Sequence, residues 1–233
     1  MTDWTPKRCL TGVGLGKSDF NVRDELNAQL LKASEERDPR KTGVFHPSSF
    51  GKNCRRVIWY ERTGHHGIKK QYYPEDLFMF AQGHALHDIV QGAFDNIPDF
   101  ISEVPVVNES LGIYGHCDGL FYEQQWLLEI KTIGDASYKA LLRPLAAHIL
   151  QGHCYMYCLD VPRIQFLYIN RNTLQTRMFR VKFDTSIWEQ VLEVITYVDE
   201  HVAAGTEPIR EENSYHCKRC KFVADCNPDV LKK

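Results

Sequence analysis

Ten residues separate Asp118 from the triplet Glu129-Ile130-Lys131, and two acids and an ammonium group so spaced can gather a cation and act on a phosphate. If Gly115-His116-Cys117-Asp118 and the triplet lie on neighbouring strands, joined by a turn near Glu123 to Gln125, the acids meet across the pair. Glu129 and Lys131, two apart on one strand, then leave the same face, while Ile130 points into the core and leaves its carbonyl near the acids. Carboxylates about 4 Å apart repel by roughly 4 kcal/mol at an effective dielectric near 20. A hard divalent ion removes that penalty. Magnesium or manganese with oxygen ligands suits phosphate chemistry, since the ion polarises the phosphoryl oxygen, binds the attacking water and offsets charge on the leaving oxygen. Lys131 would either manage that water or neutralise the pentavalent phosphorus centre, and the residues alone leave both roles open. Charged surface hairpins carry similar patterns. Here, however, Trp126-Leu127-Leu128 and Ile130 embed Glu129 in an apolar strand, where an unpaired charge is costly.

A second set of ligating residues stands near the C-terminus, in Cys217-x2-Cys220-x5-Cys226. Three thiolates need a fourth, and the upstream cysteine in a comparably basic context is Cys54, within Asn53-Cys54-Arg55-Arg56. Four thiolates hold either zinc or a 4Fe-4S cluster, and His46 and His216 are alternative ligands. Either way the tail folds back on the segment near residue 54. That would gather Lys52, Arg55, Arg56, Lys218, Arg219 and Lys221 into one basic rim for a nucleic-acid strand. Cys9, Cys117, Cys154 and Cys158 read as ordinary buried thiols.

The first residues lack the apolar stretch of a secretory signal, and no run of about eighteen apolar residues is present to span a bilayer. We therefore expect a soluble, cytoplasmic protein without a membrane partner, whose eight cysteines are not a disulfide framework and whose clustered ones read first as metal ligands. A formal net charge of -2 argues against a general nucleic-acid coat protein, which needs a large positive excess, but not against an enzyme.

The elements that must position these residues follow from periodicity. Residues 21 to 37 set Leu26, Leu30 and Ala33 on one helical side. A second helix is predicted to start at Ser48 or Ser49 and to run through Cys54 to about Glu61. A third, opened by Pro74, carries Leu77, His84, His87, Val90 and Phe94. Residues 100–107, 112–122 and 126–133 read as a three-stranded meander. Residues 135–159 look helical, with Pro144 ending or kinking the first part. A hairpin spans 163–170 and 176–183, and a last helix over 185–204 ends at Gly205. With no repeat and no long linker, the prediction is one α/β domain over residues 1–233, a mixed central sheet flanked by helices.

The acids and lysine, with four further elements, resemble the PD-(D/E)XK (restriction-endonuclease-like) superfamily. Gly83-His84-Ala85-Leu86-His87 is similar to a helical histidine motif, Ser102-Glu103-Val104-Pro105 to a first-strand glutamate, Gln151-Gly152-His153-Cys154-Tyr155 to a Q-x-x-x-Y helix, and the four cysteines to an iron-sulfur clasp. Over about His46 to Cys226 the likeness is to the RecB-like branch, which includes the iron-sulfur nucleases of CRISPR adaptation and of the AddB subunit. The resemblance implies a metal-dependent DNA exonuclease on single strands or ends. It implies His87, Asp118, Glu129 and the Ile130 carbonyl as metal ligands, with His84 a near competitor of His87. Gln151 and Tyr155, on one helix face, would place the substrate with Arg55 and Arg56, and Glu103 would be a secondary site residue. It favours 4Fe-4S over zinc on Cys54, Cys217, Cys220 and Cys226, a core over 74–204, and a clasp of 46–62 with 205–233. Protein partners in recombination, repair, viral genome processing or CRISPR adaptation are compatible with it. The rival readings are a nuclease-like DNA-binding subunit with vestigial cutting, and an iron-sulfur electron-transfer protein, which would leave the acids and Lys131 unexplained.

Overall fold

The computed structural model describes residues 21–35, 40–52, 54–65, 67, 73–211, 217 and 220–226. Cys9, His216, Lys218 and Arg219, named above, lie outside these. The chain divides into residues 1–37 and 38–233. In the first unit, helix α1 (Val22–Glu35) begins where the Asn21 side chain accepts the Arg23 N–H at 3.0 Å. Asp24 and Glu25 in its first turn and Lys32 in its last oppose the helix dipole.

In the second unit five apolar-rich runs make one sheet. They are β1 (Phe100–Asn108), β2 (Ile113–Phe121), β3 (Trp126–Ile133), β4 (Arg163–Asn170) and β5 (Thr176–Lys182), lying side by side in chain order. All neighbours are antiparallel except β3 and β4. A parallel pair needs a long crossover. Helices α2 (Arg55–Arg62) and α3 (Pro74–Phe94) precede the sheet, and the crossover carries α4 (Asp135–Lys139) and α5 (Ala146–Leu159), with Pro144 between them as expected. Helix α6 (Thr185–Ala204) starts where Asp184 accepts the Ser186 N–H at 2.8 Å and ends at Gly205 with φ 62°, and a short α7 (Val223–Cys226) follows. No described helix is long and apolar enough to cross a membrane.

Each sheet face buries its apolar residues against one helix. Val106, Leu127, Ile164, Phe166 and Tyr168 pack with Tyr155 and Met156 of α5, while Leu128, Ile130 and Ile169 pack with Leu86, Val90 and Phe94 of α3. A further core joins Phe50, Trp59, Tyr60, Trp188, Val191 and Phe222. The site described next lies where β2 and β3 part, with α3 on one face of the sheet and α5 on the other.

The helix expected from Ser48 to Glu61 is two elements. A 3-10 helix runs Pro47–Lys52, Cys54 is extended at φ -150°, and α2 follows. The reason is tertiary. Gly51 lies on α5 so closely that a Cβ there would stand 2.3 Å from Ala147 Cβ, and Ser49 is not a cap but donates to Glu61 at 2.6 Å. Glu61, 7% exposed, also pairs with Lys52 at 2.7 Å, Lys221 at 3.3 Å and Arg40 at 3.7 Å. Burial alone would push this carboxyl up; Lys52, the Ser49 hydroxyl and Arg40 outweigh it and bring it to about 2. A group so depressed stabilises the fold fully above its unfolded value of about 4.3 and progressively less as pH falls toward the folded one. Glu61→Ala is expected to cost about 2 kcal/mol at pH 7, less than a fully buried pair because the cations are partly solvated. Urea titrations at pH 7 and pH 3 should show the gap between wild type and variant shrinking at the lower pH.

Candidate active site

The two acids stand where their strands part. β2 pairs with β3 at Gly119 with Leu128, Leu120 with Leu127 and Phe121 with Trp126. One more step would set Asp118 opposite Glu129, but the ladder stops there. Further back Phe45 pairs with β2, donating to the Gly112 carbonyl at 2.7 Å and accepting from the Tyr114 N–H at 2.9 Å. Among the described residues no strand covers that edge of β2 between these two contacts. Asp118 fills part of the gap, its Oδ2 accepting the Ile130 N–H at 2.5 Å. Since a strand residue's N–H and C=O face the same edge, the Ile130 carbonyl turns toward the gap as well.

Glu129 is 3% exposed. Its Oε1 accepts from Lys131 Nζ at 2.7 Å and from Gln151 Nε2 at 2.9 Å, while its Oε2 is buried with no hydrogen-bond partner in the structure. Lys131 also donates to Gln151 Oε1 at 3.0 Å, and Gln151 to the Tyr155 hydroxyl at 2.6 Å. Burial pushes the Glu129 carboxyl up to about 7, Lys131 drawing it down and Asp118 adding to the rise. His87 Nδ1 is 3.4 Å from Asp118 Oδ1, and its hydrogen bond to Asp118 raises the imidazole pKa against the effect of burial. His84 is exposed on α3.

All the predicted acid, lysine, histidine and helix residues therefore converge. Glu103 joins them indirectly: Ser102 and Val104 on either side of it pair with Gly119 and Cys117, on either side of Asp118, and Gln91 Nε2 donates to Glu103 Oε1 at 2.7 Å and to the Asp118 carbonyl at 2.9 Å. Glu103 has φ 50°, a left-handed conformation costing a non-glycine residue about 1–2 kcal/mol. Gln91 was not foreseen. It lies four residues after His87, on the same helix face, and that spacing was a usable signal.

Among the described residues no group of three or more His, Cys, Asp or Glu side chains is drawn to metal-holding spacing. Lys131 and Ile130 N–H occupy one oxygen of each acid instead. The donors nevertheless fit a hard cation. The unpartnered, buried Glu129 Oε2 is a costly acceptor without one, and Asp118 Oδ1, His87 and the Ile130 carbonyl border the same gap.

The four cysteines Cys54, Cys217, Cys220 and Cys226 line one small cavity with Tyr60, Phe222 and Val223, though not at ligand spacing. Arg55 and Arg56, expected on the substrate, have partners within the fold. Arg55 pairs with Glu193 at 2.7 Å. Arg56 donates to the Pro208 carbonyl at 2.7 Å and to Cys226 Sγ at 3.5 Å, holding the tail against α2. Cys117 and Cys154 are buried, and Cys158 is partly so.

No protein-family model matches the sequence, and neither does any curated protein. Solved structures do match. The crystal structure of SSO0001 is similar over 89% of this chain and 96% of that one, at 18% identity and TM-score 0.55. That of LHK-Exo, an alkaline exonuclease from Laribacter hongkongensis also solved in complex with dAMP, is similar over 78% and 93%, at 16% identity and TM-score 0.52. The class that the fold defines is thus an α/β layer structure, a mixed five-stranded sheet flanked by helices, similar to these solved structures. The particular likeness is to the folds of SSO0001 and LHK-Exo.

Proposed function

We propose that this chain is a divalent-metal-dependent deoxyribonuclease of the RecB-like branch, an exonuclease on single-stranded DNA or DNA ends, with a structural 4Fe-4S cluster. The observation that carries the reading is the convergence of Asp118, Glu129 and Lys131 around one unpartnered, buried carboxylate oxygen. The exonuclease fold supports it.

His87, Asp118, Glu129 and the Ile130 carbonyl would hold magnesium or manganese. When bound, such an ion supplies Lewis-acid polarisation of the phosphate and an acidified water. The protein's own groups do the rest. Gln151 spans Glu129, Lys131 and Tyr155, so the ammonium is fixed before substrate arrives and loses no solvation at the moment of reaction. Lys131 then neutralises charge gathering on the phosphoryl oxygens and orients the water, and Tyr155, its proton held by burial, remains a neutral hydroxyl beside the strand. Cys54, Cys217, Cys220 and Cys226 would carry the cluster, tying the tail to α2 at the site's flank.

The test is release of mononucleotides from end-labelled single- and double-stranded DNA by anaerobically purified protein. Cutting is expected with magnesium or manganese and its abolition by EDTA, with circular single strands resistant. Binding of DNA without cutting under any metal would instead favour the vestigial, complex-assembly reading.

A further inference from the structure

Helix α5 directs a third polar side chain to the region of Gln151 and Tyr155. His148 lies three residues before Gln151 and therefore on the same helix face. Across from it, Lys131 of β3 and Tyr168 of β4 are direct register partners, so their side chains stand next to each other on one sheet face. Lys131 reaches Gln151; the Tyr168 hydroxyl reaches His148 Nδ1 at 2.7 Å. One helical turn thus holds His148 beside the lysine.

Tyr168 also decides where the imidazole proton is. Its oxygen accepts the Leu145 N–H at 3.1 Å, so its own single proton goes to His148 Nδ1, which must accept. The ring's N–H is then at Nε2. Protonating Nδ1 would strand the proton of a fully buried tyrosine without an acceptor, which is unfavourable. Burial and the nearby Lys131 charge act in the same direction, bringing His148 down to about 4. The residue is only half-buried, and its Nε2 is not one of the buried side-chain nitrogens without a partner.

We infer that His148 is a substrate-contacting residue whose Nε2–H, locked as a neutral donor by Tyr168, hydrogen-bonds a non-bridging phosphate oxygen of the DNA strand beside Lys131. This rests on the nuclease reading above and adds a contact to it. A neutral donor orients the phosphate without adding a second positive charge that would compete with Lys131 for Glu129. The plain alternative is that His148 merely satisfies the Tyr168 hydroxyl.

Single-turnover cleavage and thermal unfolding of three variants separate these. His148→Ala removes the donor and is expected to lower kcat/KM by about 10²-fold, the loss typical of one preorganised donor. His148→Gln places an amide N–H where Nε2–H was, and is expected to stay within about fivefold of wild type although it loses the imidazole acceptor for Tyr168. Tyr168→Phe frees the tautomer and should cost less than His148→Ala. The inference is overturned if His148→Ala cuts at the wild-type rate, or if Ala and Gln lose activity equally and in step with stability. Wild type serves as the arbiter: if it cuts and His148→Ala cuts as well, only this contact fails, whereas a wild type inert with every metal removes the nuclease reading and this inference with it.

Discussion

Asp118→Asn is expected to leave a folded protein that binds DNA and cuts it at least about 10³-fold more slowly, a loss of roughly 4 kcal/mol of transition-state stabilisation. Asparagine is the informative replacement because its carbonyl oxygen can still accept the Ile130 N–H that Asp118 Oδ2 accepts at 2.5 Å. The bridge across the gap between β2 and β3 survives, and the charge alone is lost. With that charge gone, His87 loses the partner that raises its pKa, and Glu129 loses the carboxylate that adds to its own rise. Stability should therefore change little or rise slightly, because relieving like-charge repulsion offsets the lost His87 contact. Lys131→Ala should be as inactive but less stable, since it strips the buried Glu129 of the ammonium at 2.7 Å and leaves a carboxylate to be protonated or unfolded. Matched single-turnover rates and melting curves for the two variants read both effects. An Asp118→Asn protein retaining a tenth or more of the wild-type rate would sink the hydrolytic assignment.

Why the acids were legible and their surroundings less so is a matter of how local each signal is. β3 shows its limits, Trp126 to Ile133, because an apolar run interrupted by Glu129 and Lys131 has one sensible way to face. The same alternation places the two acids across one strand pair. What the pattern cannot show is that the ladder stops at Gly119 and Leu128, or that Phe45, far back in the chain, pairs with the same edge of β2 at Ile113. Arg55 and Arg56 look like a basic rim in isolation; Glu193 and the Pro208 carbonyl, which claim them, lie far along the chain. His148 is the sharpest case. Its helix position was readable from Gln151, but its proton is placed by Tyr168, on a strand that only the parallel crossover brings alongside Lys131.

The proposed cysteine clasp leads to the second large effect. If the four cysteines hold the proposed cluster, the wild type is expected to be brown and iron-loaded and Cys220→Ser colourless, with a stability lower by at least about 3 kcal/mol, because free energy of ligating a structural metal centre is folding free energy for the segment it closes. The segment has other attachments. Tyr60 stacks on Phe222 at 4.8 Å between ring centroids, Arg56 grips the Pro208 carbonyl, and Lys221 reaches the buried Glu61. Phe222 is fully buried with Tyr60 in the core against α2, which is worth about 1.5–3 kcal/mol, while the two polar contacts are each worth about 1 kcal/mol or less. Without the four-thiolate tie the tail should open and become protease-sensitive, while the sheet and the Asp118, Glu129 and Lys131 geometry, anchored in separate cores, persist. Cleavage per folded molecule should then fall far less than with Asp118→Asn. Cys9→Ala, outside the proposed ligand set, should keep the colour and the melting temperature. Iron and zinc analysis of wild type and both variants decides the matter: zinc at one equivalent would replace the cluster with a zinc clasp, and a Cys220→Ser protein as stable and as metal-loaded as wild type would remove the clasp altogether.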